Sequence, residues 1–151
     1  MECYEGATMI KTFRGLMADG AQDTIVLHTN DGSTGYRIVK FEMMANTPGV
    51  VEIAHVIKIY TREQDTVDAV IDFDDQGLLA AGYLESHGAI QDANYNPNTI
   101  FEDKIVNQDI FITHKDVKTG EACNYYLELE QVKLELGEAS VATLRDMRGT
   151  N

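Results

Sequence analysis

The densest run of chemistry-bearing side chains is Asp72-Phe73-Asp74-Asp75-Gln76-Gly77. Oxygen donors at alternate positions, followed by a glycine for a sharp turn, are how a calcium loop opens. Asp72, Asp74, Gln76 and Gly77 match that opening, and Asp75 adds a carboxylate. The match ends at Tyr83, which stands where the bidentate glutamate belongs. The flanks read as strands rather than helices, so an EF-hand is excluded. What remains is an acidic turn whose side chains bond their own backbone. Asp72, Asp74 and Asp75 are the remaining metal candidates, and no metal or other cofactor is expected.

The histidines are His28, His55, His87 and His114. His55 interrupts an otherwise apolar face, and His114 ends a strand beside Lys115-Asp116. No two of them have i, i+2 or HExxH spacing. Cys3 and Cys123 are the only cysteines, and they form neither a CxxC nor a zinc pattern. No secretory signal is readable in MECYEGATMIKTF, so reduced thiols are expected rather than a disulfide. Cys123 could meet His114 across a hairpin, the partnership that nucleophilic catalysis uses, but the same hairpin would join many unrelated pairs. Ser33, Ser86 and Ser140 lie outside any GxSxG. NDGSTG lacks the lysine and helix of a phosphate loop. With 25 acidic residues, carboxylate pairs are inevitable and single out no hydrolase. No catalytic residue is assigned, and the chain reads as a non-enzyme.

One stretch suits recognition rather than reaction. Glu85–Thr99 is the longest irregular segment, rich in Asn, Gly, Ser and Asp. Loops of this length in compact domains are usually functional or mobile. Tyr95, flanked by Asn94 and Asn96, has the character of a binding surface.

The elements that must position these residues are short and strand-like. Gly6–Met17 interleaves Met9, Phe13 and Met17 with Lys11 and Arg14. Asp23–His28 is β-branched at its centre. Asn30-Asp31-Gly32-Ser33 carries the Asp-Gly signal of a tight hairpin between two β-rich runs. In Thr34–Met44, Val39, Phe41 and Met43 alternate with Lys40 and Glu42, the period of a half-buried strand. Asn46–Gly49 is a turn. Val50–Thr61 alternates again, with Val51, Ile53, Ile57 and Ile59 on one face and Glu52 and Lys58 on the other. Thr66–Phe73 is expected as a further strand, and LLAAGYL as a strand buried on both faces. Ile100–Thr113 carries Val106, Ile110 and Ile112, and Lys115–Glu121 reads as a hairpin loop. Ala122–Leu136 is the last strand. Its apolar parity changes between Leu129 and Val132, as a bulge near Glu130-Gln131 would cause. ELEQVKLEL also contains good helix formers, but the two-residue period and Tyr125-Tyr126 favour a strand. Glu138–Arg148 has acid first, arginines last and Gly149 after, which predicts a short C-terminal helix over 138–148. Its stripe of Val141, Leu144 and Met147 is a candidate oligomer contact.

These signals describe one domain over 1–151. The expected class is all-β, an antiparallel β-sandwich or jelly-roll-like barrel of about eight strands with a short C-terminal helix. A chain of 151 residues buries enough surface to hold a core without disulfides. Lys and Arg number 12 against 25 Asp and Glu, a net charge of −13. That excludes direct nucleic-acid binding, which needs clustered cations, and attraction to an anionic membrane. No apolar run is long enough to span a bilayer as a helix.

Three phrases, NQDIFITHKD (107–116), NYYLELEQVKLEL (124–136) and VATLRDMR (141–148), together with HTNDGSTGYRIVKF (28–41), carry a resemblance. They resemble small virion or structural proteins of tailed phages infecting marine bacteria, over most of residues 25–149. The resemblance implies a capsid decoration, vertex or tail-associated protein, located in the virion after synthesis in the host cytoplasm. It implies homo-oligomeric assembly with other virion proteins as partners, and it transfers no site residue. The alternative class is a receptor- or carbohydrate-binding sandwich module acting through Tyr95, Asn94 and Asn96. A small β-barrel enzyme is the third.

Overall fold

A computed structural model of the protein describes residues 9–49, 52–87, 94–101 and 103–135, with only the backbone of Asn94. Those residues form nine strands and no helix. The strands are β1 (Ile10–Met17), β2 (Gln22–Ile25), β3 (Thr34–Ala45), β4 (Glu52–Tyr60), β5 (Leu78–His87), β6 (Asn94–Tyr95), β7 (Asn98–Ile100), β8 (Ile110–Asp116) and β9 (Cys123–Lys133). They make two antiparallel sheets. The smaller has the order β1-β9-β3; the larger runs β2-β8-β4-β5-β6, with β7 also pairing β5. The expected C-terminal helix, with Val141, Leu144 and Met147, lies outside the described residues, as does Cys3.

The two sheets face each other across one core, in a sandwich-like arrangement. Met17, Phe41, Met43, Tyr125, Leu127 and Leu129 come from the small sheet; Ile57, Ile59, Ile110 and Ile112 come from the large one. Alternation produces this directly. On β9, Cys123, Tyr125, Leu127 and Leu129 point inward, while Asn124, Tyr126, Glu128 and Glu130 point away. Each fully buried Leu or Ile contributes roughly 1.5–3 kcal/mol by leaving water.

The phase change read from β9 is not a bulge, since pairing with β3 runs unbroken through Glu130 and Gln131; Val132 and Leu134 pack with Ile105 in a small cluster of their own. The register shift lies between Ile38 and Lys40, so the extra residue of the bulge is Val39 on β3. Tyr36 and Ile38 face the core before it, and Phe41 and Met43 after it. The expected bulge at Glu130-Gln131 is therefore corrected: the bulge of this strand pair lies on β3.

Both expected hairpins are also corrected. The Asp-Gly turn forms, with Gly32 at φ 68° and Asp31 Oδ1 accepting from Ser33 N and Oγ. Yet β2 pairs β8 while β3 pairs β9, so the turn carries the chain from one sheet to the other. The loop after β8 does the same, since β8 pairs β2 and β4 whereas β9 pairs β1 and β3. A turn sequence dictates a local reversal, not the partner of the strand that follows.

Thr66–Phe73 is not a strand. Asp68 Oδ1 accepts from Val70 N, which folds the segment into a local turn. The connection from β4 to β5 instead covers the outer face of the large sheet. Gln64 exchanges two hydrogen bonds with Gln22, Lys58 Nζ donates to Asp68 and the Val70 carbonyl, and Phe73 packs edge-on against Phe101. That cover explains why β4 is buried on both faces beyond Glu52, where a half-buried strand was expected. β5 matches its expectation, with Leu78–Gly82 buried on both faces. The stretch expected to be irregular contains the end of β5, β6 and β7, and residues 88–93 lie outside the description. Of the expected strand Ile100–Thr113, Ile100 ends β7 and β8 begins only at Ile110, with Val106 forming an isolated bridge to Tyr36.

Candidate functional site

The strand register brings three chemistry-bearing side chains together at one end of the core. His55 lies opposite Asp116 and Ile57 opposite His114, so both histidines and Asp116 share the inner face of the large sheet. Cys123 is the first residue of β9, buried across the core from them. One ligand atom each from His55, His114 and Cys123 lie within 4.8 Å of one another. All three side chains are buried.

The hydrogen bonds at this end fix the histidine protons. His114 Nδ1 lies 3.0 Å from the Ala18 carbonyl oxygen, which can only accept, so Nδ1 carries the hydrogen. His114 Nε2 is then a lone pair, and it faces His55 Nδ1 at 2.9 Å. His55 Nδ1 is the donor in that contact, which leaves His55 Nε2 as a buried acceptor with no partner among the described residues. An orphaned polar atom in a core costs about 1–3 kcal/mol. Burial, and then the neighbouring His114, push the His55 pKa down to about 4, so its ring is neutral at pH 7.

Asp116 anchors the surrounding loops. Its Oδ1 accepts from the backbone N–H of Ala54 and Lys118, and its Oδ2 from Glu121 N–H and Thr119 Oγ1. Burial pushes this carboxyl up, but those N–H donors and the His55 ring outweigh it, and the net shift is downward. Asp116 Oδ2 is 4.0 Å from His55 Nδ1. Asp19, in the turn between β1 and β2, accepts from Asp116 N–H and so ties that turn to the cluster.

Nucleophilic use of Cys123 is chemically unfavourable in this environment. Burial pushes its thiol up to about 12, and the side chain is inaccessible to solvent. A reactive cysteine needs a lowered pKa and access. The sequence anticipates that Cys123 and His114 could meet, and they do, across the gap between sheets rather than across a hairpin. It does not anticipate His55 as the third member. The available signal is that His55 and His114 each fall on the core parity of a strand.

The other candidates are separate. Asp75 forms a two-pronged ion pair with Arg62 and accepts from Gly77 N–H; Asp72 Oδ1 accepts from Asp74 N–H. The acidic turn thus spends its oxygens on its own backbone and on Arg62, and these residues form no ligand cluster among the described residues. His28 pairs with Asp109, and His87 lies between Glu52 and Glu85. Tyr95 is 60% exposed and packs edge-on to Tyr83. Asn96 and Asn98 border an open cleft of about 1030 Å³ with Arg14, Lys40, Glu42 and Tyr126. Asn98 also donates to the Phe41 carbonyl at the edge of β3.

Compared with known proteins, the chain matches no family model, and no curated protein or solved structure is significantly similar to it.

Proposed function

We propose that the protein is a structural component of a phage virion, a capsid decoration, vertex or tail-associated subunit that works by homo-oligomeric assembly and not by catalysis. The observation that carries this reading is the surface of the small sheet. Leu16, Asn124 and Met44 lie in one cross-strand row on its outer face. Leu16 is 54% exposed and Met44 66%, two large apolar side chains on either side of Asn124, on a face where solvated polar residues are usual. β1 forms an edge of that sheet, and among the described residues no strand pairs with its outer side. Open strand edges and exposed apolar side chains are surfaces through which identical domains associate. The finer fold assignment, a β-sandwich or a jelly-roll-like barrel, belongs to the same proposal, and the two facing sheets support the sandwich. So does location in the virion.

Quantitative mass spectrometry of purified particles tests it. The expected result is a copy number in simple ratio to the major capsid protein. Absence from particles, with expression in infected cells, removes the virion reading.

The same surface, where Leu16, Asn124 and Met44 line the cleft beside Asn96, also favours a second reading, a receptor- or carbohydrate-binding module. Tyr126, Asn96 and Asn98 offer aromatic and amide groups, and Arg14, Lys40 and Glu42 offer charges, around an open concavity. Glycan-array binding that is lost in Tyr95→Ala and Asn96→Ala supports this alternative over assembly.

A further inference from the structure

We propose that the His55–His114–Cys123 cluster holds one thiophilic ion with a filled d shell, Zn²⁺ or Cu⁺, through His114 Nε2, one nitrogen of His55 and Cys123 Sγ. This site is independent of the virion reading.

The first ground is geometric. Donors around a zinc ion at about 2.0–2.3 Å lie roughly 3.3–3.6 Å apart at tetrahedral angles. The three ligand atoms here already lie within 4.8 Å of one another. The facing nitrogens of His55 and His114, at 2.9 Å, need only to part slightly. Three strands from both sheets supply the ligands, so the scaffold is rigid.

The second ground is the unsatisfied pair. His114 Nδ1–H is committed to the Ala18 carbonyl, which points its Nε2 lone pair inward. This is how metal-binding histidines are usually oriented by their surroundings. Neither tautomer of His55 then completes the arrangement. With hydrogen on Nδ1, Nε2 is a buried lone pair without a partner among the described residues. With hydrogen on Nε2, two lone pairs face each other at 2.9 Å. A cation between His55 Nδ1 and His114 Nε2 takes both facing lone pairs and removes that conflict, with the His55 hydrogen then on Nε2.

The donor set decides the class of ion. Two imidazoles and a thiolate are borderline-to-soft ligands, which select zinc or copper and disfavour calcium and magnesium. The charge also balances. Binding forms an S–metal bond as the Cys123 proton leaves to solvent, and the thiolate alone neutralises Cu⁺. For Zn²⁺ the second negative charge is Asp116, whose Oδ2 lies 4.0 Å from His55 Nδ1. No change of oxidation state is involved.

The test uses the full chain, stripped with a chelator under reductant and titrated separately with Zn²⁺, Cu⁺ and the spectroscopic probe Co²⁺. The expected result is one Zn²⁺ or Cu⁺ retained per chain after gel filtration. A thiolate-to-cobalt charge-transfer band and release of about one proton per ion should accompany it. Cys123→Ser should keep its circular dichroism and lose both the ion and the band. Should that variant fail to fold, the wild-type band and the shift of both histidine ring nitrogens in NMR decide the matter alone. Retention of only one of the two ions identifies which is native. A folded wild-type chain that retains neither ion and shows no band overturns the proposal. So does retention that persists undiminished in folded Cys123→Ser.

Discussion

The Asp116 carboxylate receives hydrogen bonds from three backbone N–H groups and one hydroxyl, drawn from β4 and from the loop that leads into β9. Hydrogen bonds to a charged group contribute roughly 1.5–3 kcal/mol each, and their loss strands buried donors. Asp116→Ala should therefore lower stability by roughly 3 kcal/mol or more, measured as a fall in the urea midpoint at constant slope. An unchanged midpoint would mean that water replaces the carboxylate there. Asp75 is a milder case. Its pKa is lowered, first by the hydrogen bonds from Arg62, so it binds a proton more readily unfolded than folded. Its contribution is complete above the ordinary carboxylate value of 3.8 and is lost as pH falls through the lower folded value. Both partners are partly exposed, so the pair is worth about 1 kcal/mol at most. Comparing Asp75→Asn with wild type at pH 7 and at pH 3 checks this. The difference should shrink at the lower pH, and a difference that grows contradicts the assignment.

At the scale of elements, what was legible depended on what a strand meets on each face. β9 was readable because its two faces differ cleanly, polar Asn124, Tyr126 and Glu128 against buried Tyr125, Leu127 and Leu129. β4 misled because its outer face is covered by the loop that follows it, where Asp68 and Val70 lie ten and twelve residues beyond Lys58, so Lys58 is buried in spite of its charge. Thr66–Phe73 had strand composition but no strand to pair with, and Asp68 turned its backbone on itself. The His55–His114–Cys123 cluster was half visible. Parity placed each histidine inward, but only the sheet order shows that β8 neighbours β4 and that Cys123 faces them from the other sheet. β5 offers a direct test of close packing. A Cβ on Gly82 would stand 2.5 Å from both Asn98 Oδ1 and Met43 Sδ and 2.8 Å from the Phe41 ring. Overpacking a filled core usually costs about 1–3 kcal/mol, and Gly82→Ala should fall in that range by thermal denaturation. It should also displace Asn98 from the Phe41 carbonyl and so loosen the edge where β7 meets β3. A variant as stable as wild type would show that Met43 and Asn98 swing aside freely.

The whole molecule carries 12 positive and 25 negative residues, a net charge of −13, yet it exposes Leu16 and Met44 in one row on the outer face of its smaller sheet. These features oppose each other in any self-assembly. Like-charged copies repel over the Debye length, about 10 Å at 0.1 M salt and shorter as salt rises, while apolar contact is insensitive to screening. A homo-oligomer built on Leu16 and Met44 should therefore strengthen as sodium chloride increases, by sedimentation velocity at fixed protein concentration. Leu16→Lys combined with Met44→Lys places two cations in that row. It should disperse the oligomer at every salt concentration, although each substitution reduces the net repulsion. That sign separates the two causes. If general charge repulsion alone governed association, adding lysines would promote it; if the apolar pair is the contact, adding them abolishes it. Both positions point away from the core, so the double variant should fold with an unchanged circular dichroism spectrum. A chain that stays monomeric in wild-type form at high salt would remove the assembly reading and leave the cleft beside Asn96 as the surface to pursue.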